Sequence, residues 1–333
     1  MNLRKAFQKI CIVFAMLILM LSCFSLIYGF IETASAPNDS GFPPLISEPG
    51  QSAPPDESSA ADASDSPGSP ETAASPPKTS DHVLIKMEPA DISRGTLLLI
   101  NHNHQYEIPD TKGFVSVADS KTTSYRAANG ELMLAEPVIG PLNAMMDAFY
   151  AETGLNNVAV ISAFRDYERQ QEILSEYISL VGRAEAHRWA ALPGHSEHHA
   201  GLAIDLGYYS GGALRTFLGT GDNAWFGLNA HLYGFILRFP SEKADITETA
   251  YEPWHFRYVG QPHAYFIFEN DWCLEEYIEV LSESSINKPF IGIFDGTAYE
   301  VYYTPSLEIS LPFDCEFDIS GNNIDGFIVT ISR

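Results

Sequence analysis

The chain has 333 residues, 45% of them apolar, which suffices for one or two packed domains with a sizeable core. A formal net charge of -24 argues against a nucleic-acid partner, because gripping phosphate takes clustered Lys and Arg. The four cysteines form no CxxC pair, so a cysteine-based zinc site has no support.

Residues 1–9 carry Arg4, Lys5 and Lys9 and are expected on the cytoplasmic side. The run at 10–31, ICIVFAMLILMLSCFSLIYGFI, holds no charge and is long enough to cross a hydrocarbon layer of roughly 30 Å. It reads as a transmembrane anchor, with a cleaved signal as the alternative. Ala34-Ser35-Ala36 offers a cleavage site, although Pro37 follows it directly. Either reading puts the rest of the chain outside the cytoplasm: membrane-bound by a single pass, or secreted if the segment is cut. Residues 32–82 read as a disordered linker. Between 37 and 82 lie ten prolines, eight acidic residues and one lysine, with almost nothing large and apolar to repay the entropy of ordering. Cys11 and Cys23 fall in the apolar run. Cys273 and Cys315 are either a disulfide or two buried thiols.

A folded region is expected over 83–285. Residues 83–85 and 96–100 are short strand candidates. The spacing predicts a helix over 137–153, with Pro137 in its first turn, Gly154 closing its last, and Met145, Met146 and Phe149 facing a core. Residues 158–161 read as a buried strand. Asp166 then caps a helix over about 167–181, and a second helical piece covers about 183–191 before Pro193-Gly194. Along a strand at 202–206, Leu202, Ile204 and Leu206 share one face, while Ala203, Asp205 and Gly207 share the other. A helix is expected over 222–233 and a further strand near 255–259, with His255 and Arg257 on one face. Strands and helices mix without a regular βαβ repeat, so the class is α+β. From 286 to 333, short β-like runs separated by Gly, Pro and Asp read as a small all-β appendage.

The densest chemistry is GHSEHHAGLAIDLG at 194–207, followed further along by YEPWHFR at 251–257. Two imidazoles and a carboxylate suit a zinc ion and leave a position for water, which makes His198, Asp205 and His255 the candidate ligands of one zinc ion. Pro253 argues against the helical HExxH arrangement, so Glu252 is expected in a loop or turn just before the strand of His255. There Glu252 would take a proton from water and return it to a leaving amine. Arg165 supplies a fixed positive charge for a substrate carboxylate or for a developing oxyanion. Taken singly, His198 reads equally well as a surface histidine and His255 as a hydrogen-bonded core histidine. A carboxylate such as Asp205 within an apolar strand needs a partner: metal, Arg165 or Arg257. Ser196 either binds a substrate terminus or caps a turn. His195 and His199 are secondary, near the mouth of the site or merely exposed.

Ser196-x-His198-x-x-Gly201-x-Ala203-x-Asp205, followed by Glu252-Pro253-Trp254-His255, resembles the zinc D-alanyl-D-alanine carboxypeptidases, in the branch of the vancomycin-resistance D,D-carboxypeptidases. Ser162-Ala163-Phe164-Arg165, with Gln170 or Gln171, is similar to that branch's substrate-binding segment, and the resemblance covers about 83–281. It implies a small antiparallel sheet with flanking helices forming a zinc cleft. It makes His198, Asp205 and His255 zinc ligands and Glu252 the general base and acid, and it places Arg165, Ser196 and Gln171 against the substrate. The implied substrate is a peptidoglycan stem peptide or precursor, trimmed of its terminal D-alanine at the bacterial cell membrane. An L,D-carboxypeptidase acting on tetrapeptide stems and an inactive wall-binding module are the alternatives.

Overall fold

A computed structural model describes residues 82–108 and 111–333. The anchor expected at 10–31 lies outside these residues, as does the expected linker apart from His82, which opens the first strand. Among the described residues no helix is long and apolar enough to cross a membrane.

The described chain begins with β1 (His82–Lys86), β2 (Phe114–Ser116) and the two-residue β3 (Arg126–Ala127). β4 (Met133–Ala135) runs straight into α1 (Glu136–Thr153). Pro137 sits in the first turn of α1, where its missing N–H costs nothing. The helix stops at Gly154, whose φ of 71° lies in the left-handed region. Val138, Leu142, Met145, Met146 and Phe149 recur at helical spacing and are all buried. β5 (Val158–Ser162) leads to α2 (Tyr167–Val181), whose N-cap Asp166 accepts a hydrogen bond from the Arg169 N–H at 2.7 Å. Next come β6 (Ala203–Ser210), β7 (Ala213–Thr216), α3 (Ala224–Asn229), β8 (Phe235–Leu237) and β9 (His255–Tyr258). Helices α4 (His263–Glu269) and α5 (Leu274–Ser282) precede five strands: β10 (Phe290–Phe294), β11 (Thr297–Thr304), β12 (Glu308–Pro312), β13 (Phe317–Gly321) and β14 (Phe327–Ser332).

A central sheet has the order β3-β5-β6-β9-β8, with β7 paired to β6; every pairing is antiparallel except β3 with β5. One face buries Val158, Val160, Ile204, Leu206, Phe235 and Phe256 against α1 and α3. This is the α+β arrangement that the mixed pattern predicts. The C-terminal strands form a four-stranded sheet, β10-β11-β14-β13. Its inner face, with Val301 and Ile328, shares a core with Leu274, Ile278 and Leu281 of α5 and with Ile236 and Val259 beside the central sheet. Gly292 allows that closeness, since a Cβ there would lie 2.3 Å from the Phe266 ring. The outer face, with Phe327, Val329 and Ile331, is covered by β1 paired to β12.

Two local expectations differ from what is found, and one open alternative is decided. The 96–100 segment alternates, with Leu97 and Leu99 in one core and Leu98 and Ile100 in the other, yet it joins no strand ladder. Its backbone is satisfied instead by the Leu99 N–H on the Asn322 carbonyl and by the Arg257 guanidinium on the Thr96 and Leu98 carbonyls. The helical piece expected over 183–191 ends as α-helix at Ala186. Cys273 and Cys315 are free thiols, Cys273 buried at the N-cap of α5 and Cys315 packed under the β1–β12 pair.

Candidate metal centre

Asp205 on β6 stands directly opposite His255 on β9 in the antiparallel register, so both side chains leave the sheet on one face. Their neighbours Ile204 and Phe256, also paired, point into the core on the other face. His198 comes from a 3₁₀ turn, Glu197–Ala200, which Gly201 ends with a φ of 66°. A Cβ at Gly201 would lie 2.8 Å from both the Ala135 nitrogen and the Phe114 ring, so the motif glycine is needed for conformation and for space.

One eligible ligand atom from each of His198, Asp205 and His255 lies within 4.8 Å of the others. The His198 Nε2 is 3.3 Å from Asp205 Oδ2, and the His255 Nδ1 is 3.1 Å from Asp205 Oδ1. The His198 ring is fixed at its far side, where Nδ1 sits 2.6 Å from the Ala163 carbonyl. The three residues are 1%, 6% and 5% exposed. Two of their atoms, His198 Nε2 and Asp205 Oδ1, are buried with no hydrogen-bond partner. Orphaned atoms of this kind on two imidazoles and a carboxylate are what a divalent cation would satisfy, so the residues fit a single such ion.

Glu252 approaches from the turn before β9, held by its own N–H on the Phe239 carbonyl and by its carbonyl, which accepts the His255 N–H at 3.1 Å. Its Oε2 is 3.7 Å from the His255 Nδ1, beside the cluster. Burial pushes the Glu252 carboxyl up to about 8, with the nearby Asp205 charge adding to the rise. Burial and the Arg165 charge push His198 down to about 4. Burial also opposes charge on His255, but the neighbouring carboxylates of Asp205 and Glu197 outweigh it and lift the ring to about 9. Burial resists the charge on Asp205 too, yet His198 and Arg165 hold that carboxyl well below its usual range. The carboxylates around His255 thus favour positive charge at this point, which a bound dication would supply.

Arg165 pairs with Asp205, while Arg257 turns to Glu197. The Arg165 Nε donates to Ser162 Oγ at 2.8 Å and its Nη1 to Gln170 Oε1 at 3.4 Å. Gln170, not Gln171, is thus the glutamine beside Arg165. It is buried and also donates to the Ala191 carbonyl, whereas Gln171 is exposed and bonds Ser175 on its own helix. The signal was available, because Gln170 lies one turn before the buried Leu174. Ser196 is buried at the N-cap of the His198 turn, but its side chain makes no capping bond. His199 has both nitrogens engaged, by the Arg165 carbonyl and the Gly194 N–H, and His195 bonds the Asn101 carbonyl. A group that sequence reading passed over lies behind His255. Glu197 is 3.3 Å from its Nε2 and is clamped by Arg238 and Arg257.

The family described as VanY, D-alanyl-D-alanine carboxypeptidase, matches residues 132–261, an interval that holds Arg165, His198, Asp205, Glu252 and His255. A D-alanyl-D-alanine carboxypeptidase of Enterococcus faecium is 32% identical over 251 residues, covering 72% of this chain and 76% of that one. The chain belongs to this family. A bifunctional D-Ala-D-Ala dipeptidase and carboxypeptidase of Enterococcus gallinarum, VanXYC, is 37% identical over 146 residues, covering 40% of this chain and 72% of that protein. The fold extends the likeness. The crystal structure of the vancomycin-resistance D,D-dipeptidase VanXYg, in complex with a D-Ala-D-Ala phosphinate analogue, superposes with a TM-score of 0.68 at 32% identity, covering 76% of this chain and all of that one.

Proposed function

We propose that the protein is a zinc-dependent D,D-carboxypeptidase that removes the terminal D-alanine from peptidoglycan stem peptides or their precursors. The observation that carries this reading is the convergence of His198, Asp205 and His255 on one buried point, with Glu252 alongside. His198, Asp205 and His255 would hold the ion through two nitrogens and a carboxylate oxygen. When bound, zinc supplies Lewis acidity and lowers the pKa of water. Glu252 accepts the proton of the attacking water and delivers it to the departing D-alanine amine. Burial raises that carboxyl and so favours its taking a proton, while a dication alongside would draw it back down. Arg165, braced by Ser162 and Gln170, presents a fixed guanidinium to a substrate carboxylate or to the developing oxyanion. The Ser196 hydroxyl, not used for capping, is free to meet a substrate terminus. Gln171, exposed on α2, is left without a direct part, and Gln170 takes the supporting place beside Arg165. The apolar run at 10–31 tethers this activity outside the cytoplasm, where stem peptides are exposed.

The test incubates purified protein with a stem pentapeptide ending in D-Ala-D-Ala, with a tetrapeptide and with free D-alanyl-D-alanine, each with and without a chelator. Release of D-alanine from the pentapeptide, abolished by chelation and restored by zinc, is expected. Turnover of the tetrapeptide alone would make the enzyme an L,D-carboxypeptidase, and chelator-insensitive turnover would end the metal reading.

A further inference from the structure

A closed group of buried charges lies behind the metal-facing side of His255. The two ring nitrogens of His255 face different partners: Nδ1 is 3.1 Å from Asp205, and Nε2 is 3.3 Å from Glu197 Oε2. The other Glu197 oxygen, Oε1, accepts the Arg238 Nε at 2.7 Å and the Arg257 Nη1 at 2.6 Å. Both arginines are 0% exposed. Arg238 spends its remaining nitrogens on a two-pronged pair with Glu275 of α5, at 2.8 and 2.6 Å. Arg257 spends its own on the Thr96, Leu98 and Tyr258 carbonyls. Glu275 also accepts from Asn101. Two carboxylates and two guanidiniums cancel, and every guanidinium nitrogen has an acceptor.

Such a cluster is weak as a source of stability, since desolvating four charges offsets most of their attraction. It does supply a rigid acceptor aimed at one imidazole nitrogen. An acceptor there keeps the proton on Nε2, leaves the Nδ1 lone pair free on the Asp205 side, and stops the ring from turning over.

We propose that Glu197 is the positioning residue for His255, and that Arg238 and Arg257 fix its carboxylate so that the imidazole presents Nδ1 to the metal. This rests on the reading of His198, Asp205 and His255 as a metal site. Arg257 ties the positioning group to the 96–98 backbone, and Arg238 ties it to α5. Glu275, at the far end, is a support for Arg238 only, because Arg257 still holds Glu197 without it.

The full chain is compared with Glu197→Gln and Glu275→Gln by competing zinc against a chelator of known affinity, with folding followed by circular dichroism. Glu197→Gln is expected to weaken zinc binding by about 10- to 100-fold, and Glu275→Gln by less than about threefold. Both variants remove one buried negative charge, so general loosening of the cluster would affect them alike. Wild-type affinity in Glu197→Gln overturns the proposal, as does an equal loss in the two variants. If Glu197→Gln does not fold, Glu197→Asp keeps the charge and withdraws the carboxylate from the ring. A loss of about tenfold or more in that variant supports the assignment, and unchanged affinity overturns it. A wild-type chain that binds no zinc overturns the metal reading and this proposal together, whereas a wild type that binds zinc as tightly as Glu197→Gln removes only the positioning role.

Discussion

Two buried histidines show what separates a working imidazole from a structural one. His255 and His263 are 5% and 2% exposed and lie eight positions apart in the chain. His263 has both nitrogens satisfied by neutral hydroxyls: Nδ1 meets Tyr277 of α5 at 2.8 Å and Nε2 meets Thr330 of β14 at 3.1 Å. Burial alone pushes its ring down to about 3, so it stays neutral and joins helix to sheet. His255 instead sits among three carboxylates, next to the orphaned atoms of Asp205 and His198. Burial is common to both. The mark of the site is that two such unfilled atoms, His198 Nε2 and Asp205 Oδ1, lie together with His255 in one ligand cluster.

The sharpest way to break this comparison is to remove each ring. His255→Ala is expected to abolish bound metal, by elemental analysis, together with turnover. His263→Gln should keep the metal and the activity while losing about 1–3 kcal/mol of stability in denaturant unfolding. Metal retained in His255→Ala, or lost in His263→Gln, would erase the distinction. Next in size, Glu252→Gln should hold zinc at wild-type occupancy while kcat falls by about 10²–10⁴-fold, the usual weight of a positioned proton carrier. Unchanged kcat would leave the water without its base.

A smaller effect appears in pH. His263 has a folded pKa depressed to about 3, so the unfolded chain binds the extra proton as pH falls below the ordinary histidine value. The stability advantage of wild type over His263→Gln should therefore be complete above about pH 6.5, shrink by about 2 kcal/mol between pH 7 and pH 5, and continue to fall toward the folded pKa. Equal slopes for the two proteins would show that the ring takes up protons in place. The smallest effect concerns the two adjacent glutamines. Gln170→Ala should cost about 1 kcal/mol of transition-state stabilisation, roughly fivefold in kcat/KM, through a loosened Arg165, and Gln171→Ala almost nothing. A reversed order would return Gln171 to the substrate.

Where local chemistry determines structure, the sequence was readable. Asp166 and Gly154 mark helix ends through their own backbone preferences, and alternation along 202–206 puts Asp205 alone on a small-residue face. His198, Asp205 and His255 could be grouped because metal chemistry restricts residue type as well as spacing. Partners chosen by the tertiary fold left no such mark. The 96–100 segment has a strand's alternation, but side chains rather than a neighbouring strand receive its carbonyls. Glu197 occupies an unspecified motif position, and its significance depends on Arg238 and Glu275, which are remote in sequence. Residues 286–333 read correctly as β-structure, while their shared core with α4 and α5 and their union with β1 depend on long-range packing.

The pairing of β1 with β12 sets a timetable. During synthesis the first described strand emerges long before residues 308–312 exist to receive it, and the 96–100 segment must likewise wait for Asn322. Contacts this remote in sequence close late and slowly. The region that carries Arg165 and His198 is therefore translated before the strands that close the β1–β12 pair exist.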